Sequence, residues 1–307
     1  MTPRSEPPKN MAASVRARLT DKARNRGDDV QLLLLRFAIE RLIYRLAQSK
    51  YREDFILKGA MLFSLWAKVP YRSTGDLDLL GKGDPAPERI TAIFRELCSL
   101  KVPDDGLVFD DDSVGAERTR PEDEYQGVRV DLSATLAGAR LRIQIDIGFG
   151  DVVTPEAQTI SYPTLLDFPQ PELRAYPPET VVAEKLEALV SLGIRNSRMK
   201  DFFDLWVISK TFDFEGSVLA EAIRATFARR QTAIPAEIPV AFTPDFANDT
   251  SKQRQWRAFL NRTNLAMAPE PLPELLAFVA GFAIPVLEAA RESKPFARKW
   301  PAGGSWS

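Results

Sequence analysis

Histidine is absent from the 307 residues, and cysteine occurs once, as Cys98. Without imidazole the chain has no histidine general base, no Ser-His or Cys-His nucleophile and no histidine-ligated transition metal. A single cysteine makes neither an internal disulfide nor a multi-cysteine zinc site. Its place on the apolar side of an expected helix reads as a buried structural thiol. An excess of charge of one sign is also lacking: 41 Lys and Arg stand against 42 Asp and Glu, a net charge of −1. A nucleic-acid surface would therefore be a local patch and not a global field. The N-terminus, MTPRSEPPKN, lacks the apolar core of a signal peptide. The longest apolar run, 272–287, is interrupted by prolines and Glu274 and reads as too short to span a bilayer. A cytoplasmic location without membrane contact is the expectation. What remains for chemistry is carboxylate, and hard oxygen ligands suit Mg²⁺ or Mn²⁺.

Apolar content of 45% and charged content of 27% describe an ordinary globular chain, long enough for one or two domains. The patterning predicts a short amphipathic helix over 11–25. A second helix, begun by Asp28-Asp29, runs to about Ala47 with little polar surface. A further short helix is expected from about Ala60 to Ala67, then a strand over 76–80. Ile90, Ile93, Phe94 and Leu97 share one helical face. The acidic stretch 104–124 reads as loop or irregular strand. A hairpin follows: Val128 to Leu136 alternates with polar residues, Ala137-Gly138 turns, and Leu141 to Ile147 alternates back. The proline-rich stretch 155–178 ends the strand-rich part. Helices are expected over 179–192, 197–210, 216–229, 251–261 and 272–290. The reading is an α/β domain with N-terminal helices over 1–170, then a helical lobe over 171–307.

Asp76 and Asp78 are two positions apart in a strand, so their carboxylates project to one side while Leu77 and Leu79 project to the other. Neither has an obvious cation nearby in sequence, and a divalent metal between them is the simplest way to relieve their repulsion. Asp146 lies on the polar face of the hairpin with Arg142 and Gln144. It would complete a metal-binding cluster if its strand neighbours 76–80; otherwise it belongs to a solvated face or pairs with Arg142. Lys185 shares a helical stripe with Val181, Ala188 and Leu192, where an ammonium either meets a ligand's phosphates or snorkels. Asp204 is embedded among Phe202, Phe203, Leu205 and Trp206 and needs a cation, with Lys185 the nearest candidate. Asp201 stands one turn earlier, beside Arg195, Arg198 and Lys200. The lysine and the aspartates could equally hold one another without a ligand. Lys58-Gly59 precedes a helix whose N–H groups suit a phosphate. Arg72, Ser73 and Thr74 are either phosphate donors or loop polar groups. A surface for RNA would draw on Arg195, Arg198, Lys200, Arg224, Arg229 and Arg230, unless these form a solvated helical face.

Taken in order, L-K-G-A at 57–60, R-S-T-x-D-L-D at 72–78, Q-I-D-I-G-F-G-D at 144–151, A-E-K-L at 183–186 and K-D-F-F-D-L at 200–205 resemble the AbiEii/AbiGii nucleotidyltransferase toxin family, which includes the MenT toxins. The likeness runs from about Val15 to the W-P-x-G-G-x-W tail at Trp300 to Trp306. It implies a DNA polymerase β-like nucleotidyltransferase fold, a mixed twisted sheet followed by a helical lobe that completes the nucleotide site. It further implies Mg²⁺-dependent transfer of a nucleoside monophosphate from an NTP. The implied biological role is that of a toxin with a separate antitoxin, in the setting of phage defence, with the 3′ CCA end of tRNA as acceptor in some members. By position, Asp76 and Asp78 match the metal-binding D-x-D and Asp146 resembles the third carboxylate. Lys185 matches the lysine that meets the triphosphate, and Asp201 or Asp204 matches the late aspartate. One departure stands out: Gly59-Ala60 replaces the G-S or G-G of many members, which removes a hydroxyl donor and leaves Ser73 or Thr74 to serve. Nucleotidylation of a protein hydroxyl, AMPylation-type, and non-catalytic nucleotide sensing are the alternative readings.

Overall fold

The computed structural model describes residues 10–66, 74–119, 127–263 and 268–307. The chain divides into two units, Met1–Gly150 with Gln158–Ala175, and Asp151–Ala157 with Tyr176–Ser307.

The first unit opens with helices α1 (Met11–Arg26) and α2 (Val30–Gln48). Asp29 caps α2, accepting from the Leu32 N–H at 2.8 Å, as the Asp28-Asp29 pair predicted. Strand β1 (Phe55–Lys58) leads through a 3₁₀ turn, Gly59–Met61, into the short helix α3 (Leu62–Trp66). Then come β2 (Asp76–Gly81), α4 (Pro87–Ser99), β3 (Leu107–Arg118), β4 (Gly127–Leu136) and β5 (Ala139–Phe149). Two short strands close the unit, β6 (Gln158–Ser161) and β7 (Glu172–Ala175). These two correct the expectation that strands end near Pro155; at four residues each, flanked by prolines, they are too short for alternation to announce a strand.

The seven strands form one mixed sheet in the order β3-β4-β5-β2-β1-β7-β6. β2 with β5 and β1 with β7 are parallel, and the other pairs are antiparallel. The hairpin turn at Ala137-Gly138 has φ of 46° and 82°, both positive, as a tight two-residue connection requires. β3 is the irregular strand expected in the acidic stretch, with its register shifting between Asp110 and Gly115. Alternation gives the sheet one apolar face, on which Leu77, Leu79, Ile143, Ile145 and Ile147 are at most 1% exposed. The other face is polar and carries the candidate carboxylates.

Helix α2 is buried nearly all round and brings charge into the core. Arg41 and Arg45 both reach Asp105, at 3.2 and 2.7 Å, and all three are buried. Cys98 is buried on α4, and burial pushes its thiol up to about 12, as a structural thiol requires.

The second unit holds α5 (Pro178–Leu192), α6 (Met199–Thr211), β8 (Phe214–Glu215), α7 (Gly216–Arg229), α8 (Pro244–Asn248), α9 (Thr250–Thr263), α10 (Leu272–Glu292) and β9 (Lys299–Trp300). The apolar run expected to be short is a 21-residue helix, long and apolar enough to cross a membrane by length and composition. Leu275, Val279, Phe282, Ala283 and Val286 are buried in the unit, and Phe282 packs on Phe214, Trp300 and Trp306. The W-P-x-G-G-x-W tail is thus the cover of α10: the Trp300 indole donates to the Ser209 carbonyl and the Trp306 indole to the Phe282 carbonyl.

Candidate functional site

In the first unit the site is built from register. β2 runs parallel to β5 with Asp78 opposite Asp146 and Asp76 opposite Gln144. Period-2 alternation therefore places Asp76, Asp78 and Asp146 on the same polar face. Asp76 is exposed, and Asp78 and Asp146 are half-buried. On the other side of β2 the antiparallel pairing sets Lys58 of β1 opposite Asp78. One level across the sheet thus reads Lys58, Asp78, Asp146, Arg129, Glu117. Lys58, not an obvious local cation in sequence, becomes one through the sheet.

Gly59 has a steric reason to be glycine. Its φ is +71°, and a Cβ there would stand 2.6 Å from the Asp78 Cβ and closer still to its carboxylate. The Asp78 side chain lies in the space the missing side chain leaves. The helical turns after Gly59 are a single 3₁₀ turn and five residues of α3.

Asp146 is held by a cation, though not by the one the sequence suggested. Arg129 grips it with both arms, Nε to Oδ1 at 2.8 Å and Nη2 to Oδ2 at 3.3 Å, while the Gln144 amide donates to Oδ2 at 3.2 Å. Arg142 pairs with Asp131 instead, at 3.3 Å. The hydrogen bond that Arg129 donates to Asp146 leads in raising the guanidinium above its usual pKa, and the charges of Asp131 and Asp76 add to it. Arg129 was legible: a two-residue turn at Ala137-Gly138 pairs Leu136 with Ala139 and, counting outward, Arg129 with Asp146.

These carboxylates fit a hard divalent cation. They are oxygen donors from two adjacent strands of a rigid sheet, and no imidazole or thiolate competes. Acidic oxygens also gather within 4.8 Å of one another at Asp110, Asp111 and Asp112, an exposed group at the β3 irregularity, where Asp111 accepts from Ser99. Thr74 is half-buried and its hydroxyl sits 3.5 Å from the Asp76 N–H. Arg72 and Ser73 lie outside the described residues.

In the second unit Lys185 and both late aspartates come together. Lys185 Nζ donates to Asp201 Oδ1 at 2.9 Å and to Asp204 Oδ2 at 2.7 Å. Both aspartates are 0% exposed and lie on one face of α6, one turn apart. Arg198 Nε completes the group, 2.7 Å from Asp201 Oδ2. Lys185 contacts both Asp201 and Asp204, so this contact does not single out one of them as the late aspartate.

Of the expected basic surface, Arg230 must be withdrawn. It reaches Glu187 at 2.9 Å, Asp151 at 3.2 Å and Glu184 at 3.3 Å. Burial works against its charge, yet these three carboxylates outweigh burial and raise its pKa. Arg195, Arg198, Lys200 and Arg229 are exposed, and Arg224 is half-buried.

A family model described as the nucleotidyl transferase AbiEii toxin of a type IV toxin–antitoxin system matches residues 41–280. No curated protein sequence matches the chain. Among solved structures, JHP933 from Helicobacter pylori is similar with a TM-score of 0.51 at 14% identity, over 86% of this chain and 95% of that one. A second H. pylori protein, provisionally designated a nucleotidyltransferase, gives 0.50 at 15%, over 86% and 98%. Identities this low speak for the fold alone. The expected fold class, a mixed sheet with helices of the DNA polymerase β-like kind, stands.

Proposed function

Because the chain belongs to the AbiEii nucleotidyl transferase toxin family, we propose that it transfers a nucleoside monophosphate from an NTP to the 3′ CCA end of tRNA and so blocks translation, with Mg²⁺ (or Mn²⁺) as its metal. Membership in that family implies an antitoxin partner. The observation that carries the metal-dependent reading is the placing of Asp78 beside Asp146 on adjacent parallel strands, with Asp76 on the same face.

Asp76, Asp78 and Asp146 would hold the divalent ion, which when bound neutralises phosphate oxygens and makes an attacking hydroxyl more acidic. The 3′-hydroxyl oxygen forms a bond to the α-phosphorus as the bond from that phosphorus to the α–β bridging oxygen breaks. Pyrophosphate departs with that electron pair. Asp146 takes the hydroxyl proton and passes it to solvent. Lys185 binds triphosphate oxygens, and Asp201 and Asp204 orient its ammonium and keep it charged. Lys58, the Gly59 backbone, Arg72, Ser73 and Thr74 are the further groups assigned to phosphate.

The test offers the purified protein each α-labelled NTP with total RNA and, separately, with a protein fraction. The expected result is label at the 3′ end of tRNA with stoichiometric pyrophosphate, abolished by Asp78→Asn. Label in the protein fraction would replace the tRNA reading, and NTP binding without pyrophosphate release would end the enzymatic one.

A further inference from the structure

Asp146 is the carboxylate assigned to the reaction, yet the chain supplies it with a cation of its own. A guanidinium bonded through two N–H groups commits one lone pair on each carboxylate oxygen, the geometry in which arginine binds carboxylate most firmly. Arg129 does this with Nε and Nη2, and Gln144 takes a further position on Oδ2. A divalent ion approaching Asp146 therefore meets an Oδ2 with two donors, an Oδ1 with one, and a like charge a few ångströms away.

The same neighbourhood gives the arginine somewhere to go. Glu117 stands opposite Arg129 across the β3–β4 pair and is exposed. Asp131, which already accepts from Arg142 at 3.3 Å through Oδ1, is two residues along β4 on the same face as Arg129. The Arg129 side chain is 39% exposed, so it is not locked by packing. Exchange from one carboxylate to another costs far less than leaving a guanidinium unpaired.

We propose that Arg129 is a positioning residue that holds Asp146 in the orientation the metal requires and competes with the metal for it. The ion-free protein is thus kept from self-repulsion among Asp76, Asp78 and Asp146, and its intrinsic divalent affinity is held low. Metal then enters with the triphosphate, whose negative charge offsets the competition. This inference rests on the reading that the three aspartates receive the metal.

Mn²⁺ binding without nucleotide, followed by the electron paramagnetic resonance signal of free Mn²⁺, tests it apart from activity. Arg129→Gln should bind Mn²⁺ about tenfold more tightly than wild type, since a competing cation has been removed. Arg129→Met, which keeps the apolar stem, should do the same if the glutamine variant folds poorly by circular dichroism. In an Asp146→Asn background the gain should shrink to about threefold or less, the residue of Arg129's field on Asp76 and Asp78. Unchanged or weaker Mn²⁺ binding by folded Arg129→Gln and Arg129→Met overturns the proposal. Because no transfer is measured, a wild-type protein that transfers no nucleotide would sink the proposed function and leave this inference standing. Intact transfer with unchanged Mn²⁺ affinity in the variants would do the reverse.

Discussion

The carboxylate of Asp78 lies against the Cα of Gly59, in the space that the Cβ of any other residue would fill. The contact ties the first motif, L-K-G-A, to the second, D-L-D, by shape and not by sequence distance. It also accounts for a glycine at a φ of +71°, where an alanine pays roughly 1–2 kcal/mol of backbone strain. Gly59→Ala should therefore displace Asp78 while leaving the rest of the sheet in place. On the proposed reading of Asp78 as a metal ligand, the expected outcome is loss of at least about tenfold in Mn²⁺ affinity together with nucleotide transfer. Far-ultraviolet circular dichroism should stay native. Wild-type Mn²⁺ affinity in folded Gly59→Ala would show that Asp78 does not depend on this seat.

Lys185 sits between two carboxylates that have no exposure to water. Lys185→Ala is then a stability variant as well as a site variant, because it removes the ammonium from two buried charges. A loss of about 3–5 kcal/mol in urea unfolding is expected. Lys185→Met combined with Asp204→Asn should recover part of it, with a coupling of about 1–3 kcal/mol. Strict additivity of the two substitutions would refute the pairing. NTP affinity of Lys185→Ala has to be read at temperatures where it is still folded.

Much of this was legible in the chain. Alternation and the Ala137-Gly138 turn give the hairpin, and the capping aspartate gives the start of α2. A buried carboxylate needs a cation, which is enough to bring Asp204 to Lys185. Sheet order is a different matter. That β2 lies parallel to β5, and so sets Asp78 beside Asp146, depends on contacts about seventy residues apart that no local pattern encodes. Sequence proximity offers Arg142 as a partner for Asp146, whereas hairpin register sets Arg129 opposite it. Asp105 was hidden inside an acidic loop, although Arg41 and Arg45 among the apolar residues of α2 already called for a buried anion.

That anion supports a further prediction. Asp105 Oδ2 accepts from Arg41 Nε and Arg45 Nη1, and its Oδ1 accepts from the Leu107 N–H at 3.2 Å. Arg41 also stacks over Tyr44 at 4.1 Å and Arg45 over Phe109 at 4.6 Å, and both are buried, so neither arginine can turn to water without local unpacking. Asp105→Ala should cost about 3–5 kcal/mol, the penalty of leaving buried charge without its partner. Asp105→Asn, which keeps the acceptor oxygen, should cost less. Urea midpoints of both variants check this, and equal midpoints for wild type and Asp105→Ala would refute it.

Glu40, on the same helix, sets a pH dependence of opposite sign to that of a salt-bridged acid. It is 1% exposed; Oε2 accepts from the Leu165 N–H at 2.7 Å, and Oε1 has no hydrogen-bond partner. Burial raises its pKa from 4.5 to about 7, against the pull of the Leu165 N–H, Arg41, Arg36 and Lys22. Between those two values the folded protein binds a proton that the unfolded chain does not, so stability falls as pH rises through this window and levels off above it. The full span corresponds to a few kcal/mol, on the order of 3. Glu40→Gln has no proton to lose and should escape the decline: relative to wild type it should gain on the order of 2–3 kcal/mol between pH 5 and pH 8 in urea unfolding. Parallel stability curves for the two proteins across that range would show that Glu40 is already ionised in the folded state.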